Sequence, residues 1–222
     1  MWQSYHIYIN DYALFLEELS QFKQRLKDSE LFFVKYLDPI GVHFRLRIRS
    51  GSQSVSELDT IIYDHFNEYR VLKKIYDPEY NIFQDKLAVY EQYSSELTEF
   101  LVSRSHSEVF SHYAVKLVEK LLEQFSCNEI GFLKSYINYW SGYARFYNEK
   151  DALSLKKELS KAALPKELRN IIERLNQFKN DSRRKELAFK YLHMTLNKLN
   201  FTIVDELVIV DLCISDKLQQ QK

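Results

Sequence analysis

Residues 43–49, HFRLRIR, alternate charged and apolar side chains. In an extended chain His43, Arg45, Arg47 and Arg49 share one face, and Phe44, Leu46 and Ile48 share the other. One face reads as core and the other as a cationic platform. The same period of two runs through WQSYHIYI at 2–9, and LFFVKYL at 31–37 reads as a further strand. Asp38, Pro39 and Gly41 supply turn chemistry, so the second and third strands predict a hairpin. Between the strands the period lengthens. Asn10 or Asp11 can cap a helix over about 11–28, with Leu14, Phe15, Leu19, Phe22 and Leu26 on its apolar face. Ser54 or Ser56 can cap another reaching about Tyr69, and RVLKKIYDPEY carries an extended segment into a turn at Pro78.

The order strand, helix, strand, strand, helix, strand is the ferredoxin-like pattern. From about Lys86 the character changes, and segments with a 3.6-residue period follow one another, broken at SRSHS, SCNEIG, NEKD, LPKE and KNDS. VFSHYAVKLVEKLLEQF and ELAFKYLHMTLNKL are two of these helices. The predicted fold is therefore α+β: a ferredoxin-like antiparallel sheet with helices over 1–85, then an all-helical half over 86–222. The two halves are expected to form one integrated unit with a cleft between them as the ligand site. Only the terminal KLQQQK predicts disorder.

Composition narrows the function classes. A chain of 222 residues can bury roughly 70% of its unfolded surface without a disulfide or metal staple. Its 31 basic and 31 acidic side chains cancel, which argues against nonspecific attraction to nucleic acid or an anionic membrane. Charge-based recognition must be local. Cys127 and Cys213 lie far apart without metal-ligand spacing and read as buried free thiols, so no zinc is expected. The N-terminus lacks a signal-peptide pattern and no apolar run is long enough to span a membrane, which predicts a cytoplasmic protein. GxGxxG, Walker A, HExxH and GxSxG motifs are all lacking. A cofactor-free site working by positioned side chains is what remains.

Three stretches carry candidate chemistry. The arginines of 43–49 can grip carboxylates, phosphates or peptide carbonyls, or they can form a solvated sheet face paired with acids. In YDPEYNIF, Tyr76 and Glu79 flank a proline turn, and Glu79 serves either as an acid–base group or as the ion-pair partner of the arginines. In LHMTLNKL, His193 and Asn197 are four apart on one helix face with Lys198 adjacent, an arrangement that can poise an imidazole or simply pack.

Taken in order, WQSYHIYI, FFVKYLDPIGVHFRLRIR, YDPEYNIF and LHMTLNKL followed by DE resemble the thiopeptide-type bacteriocin biosynthesis domain. This is the C-terminal elimination domain of class I lantibiotic dehydratases, which also occurs alone. The resemblance spans nearly the whole chain. Its elimination members expel glutamate from modified Ser or Thr of a precursor peptide. Its stand-alone pyridine synthases instead join two dehydroalanines in a formal aza-cycloaddition, with loss of water and leader peptide. Where elimination members usually continue Tyr-x-x-Glu with x-x-Arg-Tyr-Gly-Gly, this chain reads YNIFQD. Ile82 replaces the arginine, Phe83 the tyrosine, and Gln84 and Asp85 the glycines. Losing that arginine removes charge-assisted bonds to a glutamyl group and favours the synthase branch.

The resemblance nominates His193 as proton shuttle and His43 and Tyr76 as hydrogen-bonding or acid–base partners. Arg45 and Arg47 become contacts for carbonyls or leader peptide, Glu79 their orienter, and Asn197 and Lys198 further substrate contacts. Tyr139, Trp140 and Tyr143 in NYWSGY either stack on azole rings or pack in the core. The expected partner is a ribosomally made, azole-containing precursor peptide with its leader; a homodimer or a complex with other biosynthetic enzymes stays open. Two other readings compete: a glutamate-eliminating partner of a split dehydratase, and a non-catalytic scaffold that delivers the precursor to other enzymes.

Overall fold

Asp11 accepts a hydrogen bond from the Leu14 amide through its carboxylate, 3.0 Å, and so starts the first helix where the sequence offers it a cap. In the computed structural model, which describes residues 1–78, 80–104, 110–144 and 162–220, the chain opens with β1 (Trp2–Tyr8), α1 (Tyr12–Gln24), β2 (Glu30–Asp38), β3 (Gly41–Arg49), α2 (Val55–His65) and β4 (Arg70–Lys74). The strands form one antiparallel sheet in the order β2-β3-β1-β4, the ferredoxin-like arrangement the pattern predicts. The hairpin turn is set by Asp38, whose Oδ1 accepts from the amides of Ile40 and Gly41 at 2.8 and 3.1 Å. Gly41 takes a φ of 143°, which favours glycine. Ser54 closes a capping box with Glu57 at the start of α2.

The chain divides into two compact units, Met1–Glu108 and Val109–Lys222. In the first, Phe44, Leu46 and Ile48 of β3 point with Tyr5, Ile7 and Phe33 toward α1 and α2, and all six are fully buried. Phe15 of α1 stacks on Phe44, ring centroids 3.7 Å apart. A short turn of helix, α3 (Tyr80–Phe83), leads to α4 (Leu87–Val102). This helix packs against β2 and α1, reinforced by a Lys23–Glu99 ion pair. It thereby covers the β2 edge, while β4 at the opposite edge carries Arg70, Lys73 and Lys74, charges that discourage edge pairing.

Three local expectations are corrected. The first helix ends at Gln24 instead of 28, because Asp28 adopts a φ of 48° and its carbonyl packs where a Cβ on Gly51 would collide. Leu26 therefore falls beyond the helix, and Leu14 is 38% exposed. The terminal KLQQQK does not fray as far as expected: the last helix continues to Gln220, since Lys, Leu and Gln are good helix formers.

The second unit comprises α5 (Ala114–Gln124), preceded by a 3₁₀ turn at Phe110–Tyr113, then α6 (Ile130–Ala144), α7 (Lys166–Glu173), α8 (Arg184–Lys198) and α9 (Ile203–Gln220). Its core joins Leu121 and Leu122 of α5, Leu168 and Ile172 of α7, Tyr191 and Leu192 of α8, and Ile209 and Cys213 of α9. The rings of Phe125, Phe178 and Tyr191 meet at 5.6–5.8 Å. Both cysteines are buried and free. Among the described residues no helix is long and apolar enough to cross a membrane.

Candidate functional site

Two clusters gather the candidate residues, one in each unit. On the sheet, antiparallel register sets Trp2 beside Arg49, Ser4 beside Arg47 and His6 beside Arg45. Phe32, Val34 and Tyr36 of β2 flank the same face from the other side. This face is far from solvated: His43 is 1% and Arg47 5% exposed. The Arg45 guanidinium lies 3.4 Å from the centre of the Tyr36 ring, and that of Arg47 lies 5.3 Å from the ring of Tyr76. Arg47 also donates to the Ser4 hydroxyl. The Tyr76 hydroxyl donates to Glu91 of α4 at 2.5 Å. Arg49 pairs with Glu30 at the exposed end.

His43 is sandwiched among aromatic rings, with His6 at 4.8 Å, Tyr8 at 4.9 Å and Tyr36 at 6.0 Å. Its Nδ1 faces the Gly41 carbonyl at 3.4 Å and the Asp38 carboxylate at 3.6 Å. Burial pushes the His43 imidazole below its ordinary pKa, and Arg45 and Arg47 act in the same direction. Burial, His43 and the neighbouring cations bring His6 down to about 4. Neutral imidazoles are therefore the resident state of this face at neutral pH. Three buried polar atoms here, Nε1 of Trp2, Nε2 of His43 and Nε of Arg45, have no hydrogen-bond partner among the described residues. Glu79 lies outside the described residues.

The second cluster is built by the turn between α8 and α9. Asn200, at a φ of 70°, ends α8, and the Phe201 amide returns to the Leu196 carbonyl at 3.0 Å, a Schellman-type closure. Thr202 then caps α9: its hydroxyl accepts from the Asp205 amide at 3.2 Å while Asp205 accepts from the Thr202 amide at 2.7 Å. This box sets the next residue, Glu206, opposite α8. Its side chain is fully buried, and both carboxylate oxygens stand 3.1 Å from Nδ1 of His193. Tyr136 of α6 donates to the same carboxylate at 2.5 Å. Trp140, one turn further along α6, stacks on the His193 ring at 4.3 Å.

The carboxylate fixes the proton of His193 on Nδ1, leaving Nε2 as the ring nitrogen that Glu206 does not engage. Burial raises the pKa of Glu206, opposed by the hydrogen bonds from His193 and Tyr136. Burial and Glu206 together push Tyr136 well above the ordinary tyrosine value, so its hydroxyl stays a donor. Asn197 shares the helix face of His193, yet the imidazole's partner is Glu206. Lys198 is buried at 2% exposure, and burial holds its ammonium well below the usual lysine range.

Sequence reasoning nominates His193, His43, Tyr76, Arg45 and Arg47 for one site; the structure gathers His43, Arg45, Arg47 and Tyr76 on the sheet face and His193 with Glu206 and Tyr136, two residues the sequence reasoning does not nominate. The run N-F-T-I-V-D-E carries a helix stop and a capping box that fix where α9 begins, but not that Glu206 faces His193.

Residues 2–216 match the sequence profile of the lantibiotic biosynthesis dehydratase C-terminal region. Among solved structures, the tRNA-dependent lantibiotic dehydratase MibB from Microbispora sp. 107891 aligns with a TM-score of 0.57 at 13% identity. The alignment covers 100% of this chain and 28% of that one, a likeness of fold. A search of curated proteins gives no match.

Proposed function

This chain belongs to the lantibiotic biosynthesis dehydratase C-terminal family, and from that premise we propose that it matures a ribosomally made peptide as a pyridine synthase, joining two dehydroalanines of an azole-containing precursor. The observation that carries the chemistry is the Glu206–His193 pair, which leaves Nε2 unengaged in a side chain still partly open to solvent. The reaction needs an amide to tautomerise to its iminol, one carbon–carbon and one carbon–nitrogen bond to form, and then water and the leader amide to depart. The first and last steps are proton transfers. Nε2 accepts the amide proton and returns it to oxygen, and the imidazolium formed in between is stabilised by the buried carboxylate. Most of the remaining acceleration is positional, because the two alkenes belong to one chain and need orientation more than covalent activation.

The sheet face supplies contacts suited to a peptide. The half-buried Arg45 guanidinium offers donors for substrate carbonyls. Ile82, where elimination members carry an arginine, supports the synthase reading over glutamate expulsion.

A second reading is favoured by the two neighbouring guanidiniums of Arg45 and Arg47, which suit a glutamyl carboxylate in an elimination reaction. The test offers the purified protein two synthetic leader-bearing peptides, one with azoles and two dehydroalanines and the other glutamylated, and follows both by mass spectrometry. Release of the leader amide with a pyridine chromophore is the expected outcome. Release of glutamate from the second peptide assigns the elimination reaction, and unchanged peptide that co-purifies assigns a scaffold.

A further inference from the structure

A hollow of about 520 Å³ opens between α6 and α8, one helical turn from His193. Its wall is aromatic. Phe189 stands edge-on to Tyr139 at 4.9 Å and 84°, with Phe132 beside it at 6.5 Å. Tyr139 is 52% exposed, an unusual position for a ring that packing alone would bury. Phe189 also lies parallel to Trp140 at 6.2 Å, and Trp140 in turn stacks on His193, so a continuous row of rings links the hollow to the imidazole.

The rim charges are mostly committed: Lys185 pairs with Glu129 at 3.2 Å and Glu186 with Arg183 at 3.0 Å. Lys190 lines the same hollow, and its charge acts through space on the Glu186 carboxylate. At the floor, a Cβ added to Gly131 would meet nothing within 4 Å. The size is that of a site for one or two side chains.

We infer that this hollow is a subsite for one planar aromatic side chain of the peptide that reacts at His193, with an anionic or carbonyl acceptor beside the ring held by Lys190. The ring faces and edges select a flat π-system over an aliphatic side chain of similar area. The Lys190 ammonium, whose charge otherwise acts on Glu186 through space, selects an acceptor next to the ring. The inference rests on the proposed function only for the statement that the ring is carried by the substrate peptide; binding of the ring itself is independent of turnover.

The test is an NMR titration of the full chain with three probes: N-acetyl-phenylalanine, N-acetyl-phenylalaninamide and N-acetyl-leucine. The expected result is saturable shifts confined to 131–139 and 185–190, with a Kd on the order of 1–10 mM for the first probe. The carboxylate probe should bind about two- to fivefold tighter than its amide. Lys190→Met should abolish that difference while ring binding persists. Gly131→Leu, whose side chain projects into open space, should remove ring binding without unfolding the protein. Equal binding of leucine and phenylalanine probes, shifts elsewhere, or no saturation overturns the subsite. His193→Ala separates the two readings: it should leave probe binding intact while turnover is lost. Parent protein that binds the ring but converts neither synthetic peptide overturns the function alone.

Discussion

The carboxylate of Glu206 reaches Nδ1 of His193 from the next helix, both oxygens at 3.1 Å, across a turn of four residues whose backbone closures leave little freedom. An imidazole held this way has one tautomer and one orientation, the two properties that proton transfer at Nε2 requires.

Removing the imidazole tests the role directly. His193→Ala should lower kcat by about 10²–10⁴, the usual contribution of a positioned acid–base group, with circular dichroism unchanged. Glu206→Gln keeps an acceptor for Nδ1–H but cannot stabilise the imidazolium. Its kcat should fall by at least about tenfold with KM little changed, and the pH profile of kcat should move with it. Steady-state kinetics on the dehydroalanine peptide distinguishes this from a packing defect, which would alter stability without moving the profile.

The same carboxylate sets a pH signature in stability. Its folded pKa is raised by burial above the ordinary 4.5. A raised carboxylate binds its proton more tightly in the folded state, so its contribution is fully present below 4.5 and is lost as pH rises through the folded value. The stability of the parent minus that of Glu206→Gln should therefore decline as pH rises through this window. Chemical denaturation of both proteins at several pH values measures it, and a flat difference would mean that Glu206 titrates as it does in water.

His6 carries the opposite sign. Its folded value of about 4 lies below the ordinary 6.5, because burial, His43 and the flanking cations disfavour the imidazolium. The unfolded chain takes up that proton first. Stability from this group is present above 6.5 and drains away as pH falls toward 4. His6→Asn should flatten the acid limb of the stability curve, by an amount reduced by solvent screening of this partly exposed ring.

Much of this architecture could be read from period and punctuation. Alternation gave β1 and β3, the Asp38–Gly41 turn chemistry gave the hairpin, and Ser54 or Ser56 marked the start of α2, where Ser54 proves to be the cap. Alternation says which side chains share a face and nothing about whether that face is dry. Hence His43 and Arg47 were placed correctly on the sheet while their burial was not foreseen. Glu206 was hidden for a related reason. An acid in the first turn of a helix ordinarily faces solvent and favours the helix dipole, and Asp205 beside it does serve the cap. Only the packing of α6 against α9, which brings Tyr136 to the carboxylate, makes Glu206 a buried group. No local pattern encodes that pairing across 70 residues.

The arginines of the sheet should separate by burial. Arg47 is enclosed, donates to Ser4 and lies over Tyr76, and burial already lowers its pKa. Arg47→Ala leaves the Ser4 hydroxyl unpaired among buried neighbours and should cost about 1–3 kcal/mol of stability. Arg49, exposed and paired with Glu30, should change stability by less than about 0.5 kcal/mol when replaced by Ala. Arg45 lies between these extremes: its guanidinium packs on Tyr36, but its Nε has no hydrogen-bond partner among the described residues. Arg45→Ala should therefore weaken peptide binding more than it weakens the fold, raising KM for the dehydroalanine peptide while the unfolding midpoint shifts less than that of Arg47→Ala. If Arg45→Ala instead destabilised the protein as strongly as Arg47→Ala with KM unchanged, the face would be structural throughout, and the peptide contacts would have to be sought on the helical unit.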